Sequence, residues 1–279
     1  MPEGPEVRRE ADALARALCH RPLVRIDYRV PSLAAPAQRL VGARVSGVTS
    51  RGKTMVIAFD RGLVHLSHHQ LYGRWRIADA RSVPVTDRAV RVVLATSTRV
   101  ATLYSATAIA LVDEREVDAH PLLARLGPDV LDRSTTPALV AARLAGARFA
   151  RTTLGHLLLD QSFAAGLGNY LRSEILHVAG LRADARPADV RGIALRRLAA
   201  AIVALPRRSY RTRGVTAGTA LSRTLAHRGV PRAARRFLVY DREGEPCRTC
   251  GTAIERSDVA GRGWFHCPAC QPPLPAQRR

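Results

Sequence analysis

The first stretch of the chain has the pattern of an amphipathic helix. Between Glu3 and Leu18 apolar residues recur every three or four positions, with acidic residues at the beginning and arginines later. That order of charges suits a helix dipole, because the first turn favours negative groups and the last turn favours positive ones. The pattern predicts an N-terminal helix that buries Val7, Ala11 and Leu14.

The next ninety residues have a β-rich pattern. From Leu23 to Val112 short runs of β-branched and aromatic residues are broken by Gly, Pro and Asp. Several short strands at close spacing are typical of a β-sandwich or barrel. A turn signal at residues 60–62 predicts an antiparallel hairpin at that point.

Helical periodicity dominates the second half of the chain. Residues 120–132 have the composition of a linker, which predicts a domain boundary there. Helices are expected at about 137–145, 153–160, 169–178 and 187–204, and Thr136 before Pro137 is a favourable start for the first of them. After Pro206 an Arg- and Gly-rich segment of weak periodicity is predicted to be a long loop with room for a short helix.

The charge balance indicates a polyanionic partner. The chain has 44 basic and 23 acidic residues, which leaves a net charge of +21. Such an excess opposes a compact fold by self-repulsion, so nucleic acid is the leading candidate partner. Hydrophobic residues at 47% exclude a largely disordered chain. The chain lacks an apolar run long enough for a membrane span and an N-terminal secretory signal, so a cytoplasmic location is expected.

Lys53 is the only lysine among 43 arginines. An Arg-favouring genome explains the arginines, but not the lysine that survives. Lysine gives and takes protons near neutral pH when its surroundings allow, whereas arginine stays protonated. A chemical role for Lys53 is therefore favoured over chance retention.

Four cysteines near the C-terminus have the spacing of a metal site. Cys247 and Cys250 form one CxxC pair, and Cys267 and Cys270 form a second pair 16 residues later. Two such pairs at this spacing are typical of a zinc ribbon, in which four thiolates close a tetrahedral Zn²⁺ site that stabilises the fold. Arg256 and Arg262 are expected on the ribbon hairpin, either as a solvated face or as contacts to DNA phosphates.

Three further motifs carry candidate chemistry. After removal of Met1, Pro2 would expose a secondary amine of low enough pKa to act as a nucleophile, although proline and glutamate are also ordinary at a helix start.

The segment at 65–73 contains three histidines, for which packing or phosphate contacts are favoured over metal binding. Its turn carries Gln70, Leu71 and Tyr72, the wedge triplet, which either packs into the core or enters a base stack. Asn169 lies where a helix N-cap or a phosphate site is expected.

In this order the motifs resemble the formamidopyrimidine-DNA glycosylase superfamily, and its endonuclease VIII branch most closely. The matching segments are PEGPE at 2–6, RGK at 51–53, HHQLYGRWR at 68–76, HPLLARLGPDVLD at 120–132, LLLDQSFAAGLGNYLRSEIL at 157–176 and the four-cysteine ribbon. The resemblance implies an α+β fold: an N-terminal helix with a two-layer β-sandwich, then a helix-two-turns-helix domain ending in a zinc finger, with DNA between the lobes. The corresponding domain bounds are 1–119, 120–132 for the linker, 133–234 and 235–279.

The resemblance also implies roles for individual residues. Pro2 matches the nucleophile that attacks C1′ of the damaged nucleotide and Glu3 the proton donor, while Lys53 matches the lysine that assists β-elimination and Arg262 the arginine of δ-elimination. Positions that match DNA contacts are the wedge triplet, Arg125 and Asn169. Glu6 and Glu174 match acidic positions near the site.

The implied activity is that of a bifunctional glycosylase and AP lyase, acting as a monomer on double-stranded DNA with oxidised pyrimidines or abasic sites, in the cytoplasm and at the nucleoid. Three alternatives stay open: a preference for oxidised purines, a non-catalytic clamp on damaged DNA, and a zinc-ribbon RNA-binding protein. His69 and Arg74 depart from the pattern of the branch, where asparagine and an apolar residue are common. The contacts of the wedge triplet are the detail that this departure affects.

Overall fold

The computed structural model describes residues 2–81 and 86–274. The chain divides into two compact units, of which the first ends at Arg125 and the second begins at Leu126. The four domain bounds expected from the sequence stay a prediction. Among the described residues, no helix combines the length and the apolar character that a membrane crossing requires.

The first unit opens with helix α1, Gly4–Leu18, as its periodicity predicts. Glu3 is the N-cap, and Glu3 and Glu6 form a reciprocal capping box in which each side chain accepts from the other residue's backbone N–H. Such a box satisfies two amides that a helix start leaves without partners. The buried face of α1 comprises Gly4, Pro5, Val7, Ala11, Leu14, Ala17 and Leu18.

Eight strands of the first unit form two antiparallel sheets. The strands are β1 (Arg25–Tyr28), β2 (Val45–Arg51), β3 (Thr54–Phe59), β4 (Leu63–His68), β5 (Arg74–Asp79), β6 (Val90–Ala95), β7 (Arg99–Tyr104) and β8 (Ala108–Asp113). One sheet has the order β1-β6-β7-β5 and the other β2-β3-β4-β8. Met55 and Ile57 of one sheet share a core with Val92 and Leu103 of the other and with α1. This arrangement confirms the two-layer sandwich, and the hairpin at residues 60–62 joins β3 to β4.

A short helix interrupts the region that the pattern assigns to strands. Helix α2 spans Pro31–Gln38, and a 3₁₀ helix follows β8 at Glu114–Ala119. Pro31 lies in the first turn of α2, where a missing N–H costs nothing because that amide has no partner inside the helix. The sequence pattern did not predict α2, because the prolines in this run disguise a helix.

The second unit is helical before its ribbon. Its helices are α3 (Pro137–Ala145), α4 (Leu154–Leu157), α5 (Asn169–Ala179), α6 (Gly192–Arg211) and α7 (Thr219–His227), with a 3₁₀ turn at Pro187–Asp189. Thr136 caps α3 as expected, because its side chain accepts from the amide of Leu139 over 3.2 Å. Helix α4 is shorter than the predicted 153–160.

Helix α6 continues past Pro206, where the sequence pattern ended it. The proline side chain is buried on the apolar face of α6, together with Ile202, Val203 and Ser209. Burial of this face offsets the backbone hydrogen bond that proline removes. The segment after Pro206 that was predicted as loop therefore begins with the last turn of α6 and later contains α7.

The ribbon is the last described element. Strands β9 (Glu255–Val259) and β10 (Arg262–His266) form an antiparallel hairpin in which Arg262 pairs with Val259. Arg256 lies on β9 and Arg262 at the start of β10, both exposed, as the spacing of the cysteines predicts. The four-cysteine segment thus has the fold of a zinc-finger hairpin.

Candidate active site and nucleic-acid interface

The start of α1 places the predicted nucleophile beside a buried carboxyl group. Pro2 is partly exposed, and Glu3 directly after it is buried. The capping box with Glu6 holds the Glu3 backbone, whose amide donates to Glu6 Oε2 over 3.2 Å. Helix capping by Glu3 and Glu6 is compatible with a catalytic role. The cap fixes the direction in which the chain at Pro2 extends from the start of α1.

Lys53 lies at the turn between β2 and β3. Gly52 precedes it with a φ of +59°, a left-handed conformation that suits glycine in a two-residue hairpin turn. The Lys53 side chain is only 9% exposed. Thr54, directly after Lys53, pairs with His68 between β3 and β4. Burial, and then the charge of Lys53, lowers the pKa of the His68 imidazole. The solitary lysine is therefore held in a partly dry environment.

The three histidines that precede the wedge triplet have different surroundings. His65 is fully buried in the sandwich, where Tyr28 Oη lies 3.0 Å from its Nδ1 and the Trp75 ring packs edge-on at 5.5 Å. Burial, and secondarily the charge of His69, lowers the pKa of His65 to about 3. The packing interpretation of the histidines is confirmed for His65.

The wedge triplet lies in a tight turn between β4 and β5. Leu71 is 63% exposed and Tyr72 71% exposed, so the alternative in which they pack into the core is wrong. Gln70 has a φ of +51°, and its backbone amide donates to His68 Nδ1 over 3.0 Å. Two large apolar side chains on a locally fixed turn are suited to insertion between bases.

The turns between α4 and α5 are organised by Gln161. Its Nε2 donates to the carbonyl oxygens of Leu159 and Leu167, and its Oε1 accepts from the amide of Gly166. One amide side chain therefore closes the connection and fixes the entry into α5. Sequence analysis missed this role, although Gln161 lies inside a matched motif and is a polar residue among apolar ones.

Asn169 is the first residue of α5 and not its N-cap, which is Gly168. The predicted capping role is therefore wrong. The Asn169 side chain instead donates through Nδ2 to the carbonyl oxygen of Gly263 on β10 over 2.9 Å. This hydrogen bond connects the beginning of α5 to the ribbon hairpin.

Arg172, which the sequence analysis did not single out, holds the same hairpin. Its guanidinium is fully buried and donates to four carbonyl oxygens, those of Gly155, Val259, Arg262 and Gly263. A buried charge is tolerated when hydrogen bonds replace its hydration. An arginine in the otherwise apolar stripe of α5 was the available signal, because charged residues are almost never fully buried without partners.

Glu174 is a buried structural anchor. Its carboxylate accepts from the backbone amides of Leu238, Val239 and Tyr240 and from the hydroxyl of Thr216 over 2.6 Å. The side chain thus binds the segment that leads into the ribbon to helix α5. These contacts support a role for Glu174 in positioning the backbone of this segment.

Helix α5 and the ribbon line an open pocket of about 550 Å³. Asn169, Arg256 and Gly263 lie on its wall, together with acidic residues from the segment before the ribbon. Arg256 also lies within 3.6 Å of Asp258. The second unit therefore brings Asn169 and Arg256 to one surface. Arg262 is exposed at the start of β10, and Arg125 is exposed at the end of the first unit.

The four cysteines fit a tetrahedral metal site. Their sulfur atoms all lie within 4.8 Å of one another, with 3.9 Å between Cys247 and Cys270 and 3.4 Å between Cys250 and Cys267. Zinc–sulfur bonds of about 2.3 Å in a tetrahedron place sulfur atoms roughly 3.8 Å apart. The four thiols are therefore close enough together to hold one metal ion.

Comparison with known proteins agrees with this architecture. Residues 1–119 match the model of the formamidopyrimidine-DNA glycosylase N-terminal domain. Endonuclease 8 of Escherichia coli is 42% identical over 271 residues, covering 97% of this chain and 100% of that protein. Endonuclease 8 of Klebsiella pneumoniae is 43% identical over the same shares of both chains.

Solved structures share the fold. Lactococcus lactis formamidopyrimidine-DNA glycosylase bound to DNA containing an AP site superposes with a TM-score of 0.79 at 21% identity, covering 97% of this chain and 100% of that one. MutM in complex with DNA containing carbocyclic 8-oxo-G gives 0.80 at 22% identity, covering 98% of this chain and 100% of that one. These similarities show a common architecture.

Proposed function

The chain belongs to the formamidopyrimidine-DNA glycosylase superfamily, within its endonuclease VIII branch, and from this premise we propose how its residues act. The protein is a bifunctional DNA glycosylase and AP lyase that removes oxidised pyrimidines in base excision repair. The observation that carries the residue assignment is the position of Pro2, directly before the buried Glu3 at the start of α1.

The first step is attack of the Pro2 nitrogen on C1′ of the damaged nucleotide. The bond from C1′ to the base breaks and its electron pair leaves with the base, while Glu3 supplies a proton at the opening sugar. The nitrogen loses its proton, the C1′–O4′ bond breaks as O4′ takes the proton from Glu3, and the nitrogen lone pair forms an iminium ion with C1′. This iminium is an electron sink for the following eliminations. C1′ is shielded in a stacked duplex, so the nucleotide must first be everted.

Strand cleavage follows by two eliminations. Lys53 assists removal of a proton from C2′, and the electron pair expels the 3′ phosphate. Arg262 binds the second phosphate and assists its departure from C5′. Hydrolysis of the iminium then releases the unsaturated sugar aldehyde and frees Pro2. The products are the free base, this sugar fragment and a one-nucleotide gap with a phosphate on each side. The position of Lys53 supports this role, because its side chain is buried at a fixed turn and an ammonium, unlike a guanidinium, can exchange its proton in suitable surroundings.

DNA is held by residues of both units. We assign phosphate or base contacts to the wedge triplet, Arg125 and Asn169, and supporting roles to Glu6 and Glu174. The wedge triplet fills the space that the everted nucleotide leaves. Damage lowers the cost of eversion, which is a few kcal/mol in intact DNA, and this contributes to selection of the lesion.

The metal of the ribbon is Zn²⁺ in this proposal. Cys247, Cys250, Cys267 and Cys270 would hold it, and four protein ligands leave no open position for water. The ion would therefore stabilise the hairpin that carries Arg256 and Arg262. We further propose that the protein acts as a monomer in the cytoplasm, at the nucleoid, where its +21 charge favours DNA.

Borohydride trapping tests the assignment. The protein, with its N-terminus confirmed as Pro2, is mixed with a duplex that holds one abasic site, and the adduct is mapped by peptide mass. Pro2→Gly, which leaves a primary amine of different geometry, and Lys53→Arg, which keeps the charge but not the proton exchange, are compared with the wild type. Duplexes with thymine glycol and with 8-oxoguanine then measure base preference.

An adduct on the N-terminal peptide and faster release of thymine glycol are expected. Lys53→Arg should still trap but cut the strand more slowly. Faster release of 8-oxoguanine would instead show a purine preference, and tight binding without any adduct would show a non-catalytic clamp on damaged DNA. Preference for RNA over abasic duplex would contradict the proposal entirely.

A further inference from the structure

Glu10 of α1 contacts both ends of the turn that carries the wedge triplet. Its Oε2 lies 2.7 Å from Nε2 of His69, the residue directly before the triplet. Its Oε1 accepts from the backbone amide of Trp75, two residues after the turn ends at Gly73, over 3.0 Å. One carboxylate therefore spans the base of the turn.

The turn itself is closed tightly above this carboxylate. The amide of Gly73 donates to the carbonyl oxygen of His69 over 2.7 Å. A Cβ atom at Gly73 would lie 2.5 Å from that same oxygen, which leaves no space for a side chain. The conformation of residues 69–73 is thus fixed at its base, and movement of His69 would move the whole turn.

The contact is largely shielded from solvent, with the Glu10 side chain 23% exposed. His69 is 2% exposed, and its Nε2 meets Glu10 at an ion-pair distance without the angle of a good hydrogen bond. Glu10 lies between Val7 and Leu14 along the face of α1 that packs on the sandwich. A carboxylate in such a place costs free energy unless partners replace its hydration, and the partners here are at the two ends of the turn.

Helix α1 relates this contact to the reaction residues. Glu10 is seven residues after Glu3, which is about 10 Å along a helix at 1.5 Å per residue. A helix of this length is stiff, so a group fixed to Glu10 is fixed relative to the start of α1. Eversion of a nucleotide requires the wedge to enter the stack while the nucleophile meets C1′, and misplacement by about 1 Å costs roughly 10²-fold in rate.

We propose that Glu10 and His69 are positioning residues that hold the wedge triplet in register with Pro2 and Glu3. The proposal rests on the proposed function, since it concerns the same reaction. The pair acts on the eversion step and not on the chemistry at C1′. Its loss should therefore slow reactions that need eversion and leave attack on an accessible abasic sugar unchanged.

Two substrates separate these steps. Release of thymine glycol from a duplex requires the wedge, whereas trapping on a single-stranded oligonucleotide with an abasic site does not. The variants are Glu10→Ala, Glu10→Gln, His69→Ala, His69→Asn and the double alanine variant. Asp12→Ala is the matched control, because Asp12 lies on the same helix and pairs with Arg8 on its surface. The fluorescence of a 2-aminopurine base beside the lesion measures insertion of the wedge triplet, because unstacking changes its emission.

We expect Glu10→Ala and His69→Ala to lower the rate of duplex excision and the rate of the 2-aminopurine fluorescence change by roughly ten- to a hundredfold. The rate of single-strand trapping should stay within about twofold of the wild type. The double variant should be no slower than the worse single variant, because the two residues act as one unit. Glu10→Gln should restore most of the rate, since its oxygen still accepts from Trp75 and its amide still meets His69.

Equal losses on both substrates would show a merely structural role and overturn the proposal. Unchanged duplex excision in Glu10→Ala, or additive losses in the double variant, would overturn it as well. Should the alanine variants not fold, His69→Asn decides between the same outcomes by the ratio of the two rates, because the shorter asparagine side chain keeps a polar group but falls short of Glu10. A wild type that neither traps nor excises would instead contradict the proposed function, and this inference with it.

Discussion

The guanidinium of Arg172 holds the backbone of Arg262. Its Nη2 donates to the carbonyl oxygen of Arg262 over 3.1 Å, from a helix 90 residues earlier in the chain. The side chain of Arg262 remains exposed. The position of the ribbon tip therefore depends on Arg172, while the second elimination is assigned to the Arg262 side chain in the proposed function.

Replacement of Arg262 should separate the two eliminations. In Arg262→Ala the hairpin keeps its hydrogen bonds to Arg172, so the missing guanidinium is the only change. We expect the second elimination to slow on the order of 10²-fold, by analogy with loss of one charge-stabilising donor. Gel analysis of a labelled abasic duplex should show accumulation of the product of β-elimination alone.

Arg256→Ala is the control for this experiment, because it removes an exposed arginine from the partner strand of the same hairpin. It should weaken DNA binding without changing the ratio of the two products. An unchanged product ratio in Arg262→Ala would remove Arg262 from δ-elimination.

Glu174→Gln should destabilise the second unit. Glu174 accepts hydrogen bonds from four donors, Thr216 and three backbone amides, and a glutamine would place an N–H₂ group against one or more of these donors. A loss of roughly 2–4 kcal/mol in unfolding free energy is expected. Urea unfolding measures it, with exposed Glu243→Gln as a control that should change stability by less than about 0.5 kcal/mol. Equal stability of the two variants would mean that the carboxylate charge is not needed there.

Gly127 is predicted to be intolerant of any side chain. Its amide donates to the carbonyl oxygen of Gln161 over 2.9 Å, and a Cβ atom would lie 2.3 Å from the carbonyl oxygen of Ser162. Because the obstacle is backbone, Gly127→Ala should lower the unfolding free energy by about 1–3 kcal/mol. Gly47→Ala, where a Cβ meets nothing within 4 Å, is the matched control. A thermal melt that ranks the two variants alike would contradict the close approach.

His65 should make the fold sensitive to acid. Its pKa is lowered from 6.5 to about 3 by burial, so the unfolded chain takes up a proton below pH 6.5 that the folded chain refuses until about pH 3. The stability contribution is complete above pH 6.5 and falls between these limits, with a slope of up to about 1.4 kcal/mol per pH unit.

Denaturant unfolding between pH 7 and pH 4 measures this slope. His65→Gln should be less stable at pH 7 but should lose less stability on acidification than the wild type. His227→Gln, at an exposed position, should leave the slope as it is. If the unfolding free energies of the wild type and His65→Gln fall in parallel with pH, another group dominates the loss of stability in acid.

Local patterns in the chain predicted much of the fold. The period of α1, the turn at residues 60–62, the cap at Thr136 and the ribbon hairpin were all confirmed, because each depends on residues close together in sequence. The exceptions have tertiary causes. Helix α6 continues through Pro206 because burial of one face outweighs a local helix breaker.

The same division holds for the site. The sequence by itself predicted the four-cysteine cluster, which the structure brings together, because two CxxC pairs specify it by residue type and spacing. It also indicated Pro2 and Lys53 as candidate reaction residues, and their roles stay predictions. Only the tertiary structure decided what Arg172, Glu174 and Glu10 contact, and that Asn169 bonds to the ribbon instead of capping its helix. Glu10 meets the amide of Trp75 across 65 residues. Such partners are chosen by the packing of whole elements, because a buried polar group takes whichever donors or acceptors the fold brings to it.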